Sequence, residues 1–176
     1  MKHFTVTVID LGGSTANLYA VTCRIGSCKT HDCLYPQVCK NLQVDEQAFL
    51  SLLEKISALK KVKHVFIASG LRMELLRKTP KLFKKIIQSH TPGALKIAPE
   101  HTEKEVLELM HKESHEQLQE RLTLGRKFSR ELQQNIQFTP YIITDHPGCK
   151  ESHTANMAKT LQQLGLELPQ FQDLTS

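Results

Sequence analysis

The chain has 176 residues, of which 40% are hydrophobic and 23% are charged, and its formal net charge is +5. This length and composition suit one globular domain with a sizeable core. No apolar run reaches the roughly 20 residues that cross a bilayer. The first apolar stretch is cut short at Asp10, which is too early for a secretion signal. The sequence therefore predicts a cytoplasmic protein with no membrane partner.

Lysines gather in two parts of the chain, around 55–63 and 78–85. Such runs usually mark the solvated faces of helices. A surface that binds nucleic acid would have aromatic residues between the lysines, and this chain has no Trp and three Tyr. A nucleic-acid partner is therefore not expected.

The first half of the chain predicts two strands and two helices. The β-branched run 4–10 is typical of a strand, whereas 14–44 is an irregular cysteine-rich insertion. Asp45 is placed to cap a helix over about 46–60, and 62–69 is the second strand. The pair Thr79-Pro80 predicts the start of a helix that runs to about 89.

The second half continues the alternation. A strand over 94–98 is expected to end at Pro99, and capping-box patterns begin at Thr102 and Ser114. A helix follows from Ser114, and Gly125 inside it costs about 1 kcal/mol relative to Ala. The remaining predicted elements are a strand at 141–144 or from 138, a helix over 152–164 that stops at Gly165, and a final strand within 166–174.

Strands that alternate with helices predict a parallel sheet with right-handed crossovers. A closed (β/α)8 barrel needs about 250 residues, so the expectation is an α/β fold that is an open or partial barrel or a doubly wound sheet. We treat 1–176 as a single domain. In such folds the functional residues lie beyond the carboxyl ends of the strands.

The predicted strand ends carry glycine, charge and histidine, which indicates one shared site. The four segments concerned are Gly12-Gly13, Ser69-Gly70-Leu71-Arg72, Pro99-Glu100-His101 and His146-Pro147-Gly148. Purely connecting loops would not need these residue types at each strand end.

Four of the five cysteines lie within 17 residues, at Cys23, Cys28, Cys33 and Cys39. Four thiols on one loop predict a zinc or iron–sulfur site, with buried idle thiols as the alternative. The spacing contains no C-x2-C pair of a zinc ribbon. His31 is a possible substitute ligand, and we treat Cys149 as incidental.

Five segments together resemble the YgiQ-type radical S-adenosylmethionine (SAM) enzymes. They occur in the family's order across about 4–172. The segments are Asp10–Tyr19, Cys28–Cys39, Ile67–Arg72, Leu95–Thr102 and Tyr141–Gly148.

The resemblance implies a partial (β/α)6 radical-SAM-type, TIM-like barrel that corresponds to the family's second strand onward. It also implies a protein that binds SAM and a [4Fe–4S] cluster, with an unknown substrate. The family's cluster loop has the spacing Cys-x3-Cys-x2-Cys, which this sequence lacks. We therefore expect a fragment that is inactive alone unless an upstream chain supplies that loop.

The same resemblance indicates which residues contact SAM. Gly12 and Gly13 match the glycines that hold its amino group, although no Glu follows them. Arg72 is a candidate clamp for the carboxylate, with a surface ion pair as the alternative. Glu100 is a candidate partner of ribose hydroxyls or of an amino group, unless it pairs with Lys96. The full predicted set is Gly12, Gly13, Thr15, Asn17, Ser69, Arg72, Lys96, Glu100, His146 and Gly148.

His101 and His146 are candidates for substrate binding or acid–base chemistry, because histidine titrates near neutral pH. A structural role is the commoner fate of a single histidine. The segment from His146 to Gly148 is also a candidate edge for binding adenine.

Two other functions stay open at this point. One is a non-enzymatic zinc-binding module that uses Cys23, Cys28, Cys33 and Cys39. The other is an unrelated α/β protein that binds a phosphorylated metabolite at its strand ends, although the sequence has neither a P-loop nor a Rossmann glycine pattern.

Overall fold

A computed structural model of the chain describes residues 4–26, 28–29, 31–166 and 170–172. The side chains at 13–15 and 170–172 lie outside the described part. The strands are β1 (Val6–Val8), β2 (Val21–Cys23), β3 (Leu42–Val44), β4 (Val62–Val65), β5 (Ala94–Glu100), β6 (Gln137–Ile143) and β7 (Gln170–Gln172). The α-helices are α1 (Glu46–Ser57), α2 (Met73–Leu76), α3 (Pro80–Ser89), α4 (Lys104–Leu109), α5 (His115–Glu131) and α6 (Glu151–Gln163).

The strands that alternate with helices pair in parallel, as the sequence predicts. β1 pairs with β4, and β6 lies between β5 and β7. A parallel bridge from Leu71 to Ile97 connects the segment after β4 with β5. The described residues thus form an open α/β arrangement, and no closed barrel is found among them.

Three predicted helix ends are confirmed by their local contacts. Asp45 caps α1, because its carboxylate accepts a hydrogen bond from the amide of Ala48 at 2.9 Å. Pro80 is the first residue of α3, where its missing N–H costs nothing. Gly165 follows α6 with a φ of +62°, and the next amide, of Leu166, donates to the Leu161 carbonyl at 3.1 Å. This is the Schellman pattern that favours glycine.

Several boundaries differ from the prediction. β5 continues through Pro99 to Glu100, because a register irregularity between Ile97 and Glu100 accommodates a residue without an N–H. The capping boxes at Thr102 and Ser114 do not form. At the first, the amide of Glu103 instead donates to Nδ1 of His101 at 3.0 Å.

The cysteine-rich region contains structure that the sequence does not predict. A 3-10 helix spans Gly13–Leu18, and β2 and β3 form an antiparallel pair with Cys23 opposite Leu42. Each of these strands has three residues, which is too short for a clear alternation of apolar and polar positions. Of the predicted final strand, β7 is observed, whereas 167–169 and 173–176 lie outside the described residues.

The core lies between the sheet and the helices α1, α3 and α5. Residues fully buried there include Leu53, Phe83, Ile86, Leu95 and Ile97. None of the described helices has the length and apolarity needed to cross a membrane.

Gly125 is required by packing rather than by backbone conformation. A Cβ at this position would lie 2.5 Å from Cζ of Phe138 and 2.8 Å from Cζ of Phe83. The helix therefore accepts the propensity cost of glycine so that α5 can approach both rings closely.

We expect Gly125→Ala to destabilise the protein by up to about 2 kcal/mol in urea unfolding. Overpacking costs about 1–3 kcal/mol and outweighs the gain in helix propensity of about 1 kcal/mol. The matched control is Thr123→Ala, at an exposed position of the same helix, which should change stability little. A more stable Gly125→Ala variant would contradict this account.

Candidate functional site

The carboxylate of Asp10 joins the ends of β1 and the segment after β4. It accepts hydrogen bonds from the amides of Ala68 (2.9 Å) and Ser69 (3.1 Å) and from the Ser69 hydroxyl. Partial burial acts to raise the pKa of Asp10, but these hydrogen bonds and the charge of Lys96 outweigh it, so the pKa is lowered. Asp10 therefore stays ionised and fixes the backbone at the strand ends.

Lys96 lies beside this carboxylate, over an aromatic ring. Its ammonium is 5.3 Å from the centroid of the Tyr141 ring, which is within the range of a cation–π contact. A Cβ at Gly70 would lie 2.9 Å from Cδ2 of the same ring. Glycine at position 70 is therefore required for Tyr141 to sit against the backbone that follows β4.

The loop after β1 is attached to the loop after β4 by the side chain of Asn17. Its amide donates to the Arg72 carbonyl at 2.8 Å, and its carbonyl accepts from the Arg72 amide at 2.9 Å. Asn17 is 2% exposed. Gly12, with a φ of +114°, turns the chain into the 3-10 helix, and a Cβ there would lie 2.7 Å from Cβ of Ala16.

The buried ammonium group of Lys112 lies between the end of β5 and the helix α2. Nζ of Lys112 lies 2.9 Å from Oε1 of Glu100 and 3.7 Å from Oε1 of Glu74. The first contact is an ion pair rather than an aligned hydrogen bond. The same oxygen of Glu74 is 3.6 Å from the guanidinium of Arg72. The side chains of Lys112 and Glu74 are 7% and 2% exposed. Each charge therefore needs the opposite charge beside it to offset the cost of its burial.

Glu100 reaches this cluster with a backbone that only glycine adopts easily. Its φ of +65° lies in the left-handed region, which costs about 1–3 kcal/mol for such a residue. Its partner is Lys112, whereas Lys96 lies over Tyr141. The pairing of Lys96 with Glu100 that the sequence left open is therefore not observed among the described residues.

A second buried carboxylate lies next to this cluster. Oε2 of Glu113 is 3.8 Å from the guanidinium of Arg121, and the two side chains are 10% and 5% exposed. Burial raises the pKa of Glu113 from 4.5 to about 7, against the lowering effect of Arg121. Glu113 therefore changes its charge near neutral pH.

The histidines at the ends of β5 and β6 lie near each other. Burial lowers the pKa of His101 to about 4, and the charges of His153 and His146 act in the same direction. Nδ1 of His101 accepts from the Glu103 amide, so the ring proton is on Nε2, 3.5 Å from Sγ of Cys149. His146 is half-buried and donates to the Pro147 carbonyl at 2.9 Å. His101 is therefore neutral near pH 7, and its Nε2 faces the Cys149 thiol.

Backbone contacts link three of the four clustered cysteines, Cys23, Cys33 and Cys39. The amide of Cys39 donates to the Cys33 carbonyl at 2.9 Å, and the Cys39 carbonyl accepts from Leu42, which pairs with Cys23. Partial burial is the largest cause that raises the pKa of the Cys33 thiol. The charges of Cys28, Cys39 and Cys23 raise the same pKa further. All four are unbonded, and no described group of three or more metal-ligating residues is arranged to hold a metal ion.

The cysteine-rich loop packs against the connection between α4 and α5. The rings of Tyr35 and His111 stack with centroids 4.9 Å apart. Nδ1 of His111 also lies 3.3 Å from the carboxylate of Asp32. His111 precedes Lys112 directly, so this contact places the loop beside the buried ion cluster.

The structure brings together some of the residues that the sequence selects. Ser69 donates a hydrogen bond to Asp10, and the charge of Lys96 helps to lower the pKa of that carboxyl. Gly12 precedes the 3-10 helix that carries Asn17, and Asn17 binds the Arg72 backbone. Gly148 contacts Leu109 instead, because a Cβ there would lie 2.6 Å from its Cδ1. Gly13 is in the 3-10 helix, and the Thr15 side chain lies outside the described part.

Sequence reasoning missed the acidic and basic residues that fill the interior of this region. These are Glu74, Lys112, Glu113 and Arg121. Each looks like a surface residue of a helix or a helix end when only its neighbours in sequence are considered. Neither capping patterns nor the spacing of apolar residues indicates that these four side chains are buried.

The fold and these contacts define an α/β protein whose parallel strands end in a polar, partly buried cluster. Over almost its whole length, the chain is similar to UPF0313 proteins of several bacteria. It is 35% identical to that of Clostridium botulinum (strain 657 / Type Ba4) over 179 residues, which is 98% of this chain and 28% of the relative. No protein-family model matches the chain.

Two further UPF0313 proteins show the same relationship. The Pseudomonas aeruginosa protein is 37% identical over 96% of this chain and 23% of its own length. The Bacteroides thetaiotaomicron protein is 36% identical over 99% of this chain and 30% of its own length. The chain thus spans between 23% and 30% of the length of these curated relatives.

We expect Asn17→Ala to lower the free energy of unfolding by about 2 kcal/mol in chemical denaturation. The substitution leaves the partly buried N–H and C=O of Arg72 without partners, and each unsatisfied group costs about 1–3 kcal/mol. Asn41→Ala is the control, because Asn41 bonds to Arg24 through its backbone carbonyl. An equal effect of the two substitutions would show that the Asn17 amide does not join the two loops.

Proposed function

We propose that this chain is the strand-end part of a radical SAM enzyme of the YgiQ type and contributes residues that bind SAM. The observation that carries the proposal is the joining of the loops after β1 and β4 by Asn17 and Arg72. Both loops belong to segments that resemble that family. The similarity to UPF0313 proteins over 96–99% of the chain supports the same assignment.

The residues present suit the aminocarboxylate and the ribose of SAM. Asn17 holds the Arg72 backbone. The guanidinium of Arg72 is 30% exposed and lies 3.6 Å from Glu74, so binding SAM would add the ligand carboxylate as a second partner of this charge. Gly12 and Gly13 would allow a ligand to approach the backbone closely. Lys96 and Glu100 follow at the next strand, and His146 and Gly148 at the one after it, where the adenine would lie.

The main iron–sulfur cluster does not fit this chain. The sequence contains no Cys-x3-Cys-x2-Cys spacing, which the family uses for the three cluster ligands. We therefore derive no step of SAM cleavage from these residues. The proposed role of this chain is to bind and orient SAM.

We expect saturation-transfer difference NMR to detect SAM bound to the purified chain, with signals on the adenine and ribose protons. Arg72→Ala should weaken binding about 10-fold, because a charge-assisted hydrogen bond contributes about 1.5–3 kcal/mol. The matched control is Arg130→Ala, at an exposed position of α5. No transfer to SAM, or equal transfer in Arg72→Ala, would contradict the proposal.

A second candidate function is metal binding by Cys23, Cys28, Cys33 and Cys39. The backbone contacts that connect Cys39 with Cys33 and place Leu42 opposite Cys23 favour it. Four thiolates are ligands that both zinc and iron–sulfur clusters accept. In this second function the cysteine-rich loop folds around the metal ion, and the residues at the strand ends take no part in binding it.

We expect the anaerobically purified chain to contain stoichiometric zinc or iron by elemental analysis. Cys33→Ser should lose the metal, because Cys33 is central to the four thiols. Cys149→Ser should retain it, since Cys149 contacts His101 outside the loop. If the two variants have the same metal content as the unsubstituted chain, the cysteine loop is not the metal site.

A further inference from the structure

A cavity of about 250 Å³ lies between the cysteine-rich loop and the helices α2 and α5. Leu34, Pro36 and Val38 of the loop give it an apolar wall. Arg77 and Lys78, which directly follow α2, also line it. An apolar wall with a few charged groups is the usual composition of a site for a small ligand.

The two basic residues after α2 are available to an anionic group. Arg77 and Lys78 are both exposed, and neither forms an ion pair with another described residue. Because they are neighbours in the chain and line one cavity, a single ligand group can contact both of them.

The acidic residues of the cavity do not compete for these two cations. Glu74 and Glu113 line the cavity, but Oε2 of the first and Oε1 of the second are buried and closed to it. The other oxygen of Glu74 faces Arg72 and Lys112, and the other oxygen of Glu113 faces Arg121. Both carboxylates are therefore already occupied within the protein.

The charges around the cavity leave it positive. Glu100 and Glu120 also belong to the buried cluster, where they pair with Lys112 and Arg121, so four carboxylates share three cations. Burial raises the pKa of Glu113 to about 7, so this carboxyl is partly uncharged at neutral pH. The two free cations after α2 therefore exceed the remaining negative charge, which favours an anionic ligand and disfavours a cationic one.

We propose that this cavity binds a phosphate monoester that carries a short apolar group. The phosphoryl oxygens accept hydrogen bonds from Arg77 and Lys78, and the apolar group lies against Leu34 and Val38. Two cations match the charge of about −1.5 to −2 that a phosphate monoester carries near pH 7. The planar guanidinium also donates two parallel hydrogen bonds to a phosphoryl group. This site is separate from the proposed SAM binding and does not depend on it.

The probe for the test is mono-n-butyl phosphate, titrated to millimolar concentration into the isotope-labelled full chain at neutral pH and followed by 1H–15N NMR. We expect shifts concentrated at the cavity residues. Arg77→Ala and Lys78→Ala should each weaken binding about 10-fold, because each loses a charge-assisted hydrogen bond. Both positions are exposed, so these variants should keep the fold. Lys104→Ala, at an exposed position of α4, is the control that should bind normally.

Two further ligands make the test specific for the phosphoryl group. n-Butanol lacks it and should cause no shifts at Arg77 and Lys78, whereas n-pentanoate carries a single negative charge and should bind more weakly than the ester. The proposal is overturned if the ester causes no shifts, if both variants bind it normally, or if n-pentanoate binds as tightly. Displacement of the ester by SAM would also overturn it, because the cavity would then be part of the SAM site.

Discussion

The buried ammonium of Lys112 constrains the whole region in which the strands end. A charge with 7% exposure is tolerated only beside opposite charges, and Lys112 has Glu100 at the end of β5 and Glu74 in α2. These contacts hold the end of β5, the helix α2 and the connection between α4 and α5 in one arrangement. Removing both carboxylates would leave an uncompensated buried charge, which costs about 3–5 kcal/mol. The strained backbone of Glu100 persists because this pairing requires it.

The hydrogen bonds of Asp10 and Asn17 extend the same arrangement to β1. Asp10 fixes the backbone at Ala68 and Ser69, and Asn17 fixes it at Arg72. The loops after β1 and β4 are therefore positioned by side chains that bind backbone groups. Such a scaffold can present Arg72 and the glycine turn to a ligand at little further entropic cost, because the loops are already ordered.

The cysteine-rich loop lies beside the buried ion cluster at the strand ends. The stacking of Tyr35 on His111 places the loop next to Lys112, and the same loop forms one wall of the cavity at Glu74 and Glu113. A metal bound by the four cysteines would order this wall.

Local sequence patterns determined most of the secondary structure. Asp45, Pro80 and Gly165 mark helix ends because a cap, a fixed φ and a left-handed residue act over a few neighbouring positions. The alternation of strands and helices also predicted a shared site at the carboxyl ends of parallel strands. Ser69 and Arg72 were predicted to belong to that site on this basis. Only the tertiary structure decided that Lys112, Glu74 and Glu113 are buried and that Asn17 binds the Arg72 backbone. The residues of that last contact are 55 positions apart, and no local pattern records which distant partner offsets the cost of burying a polar group.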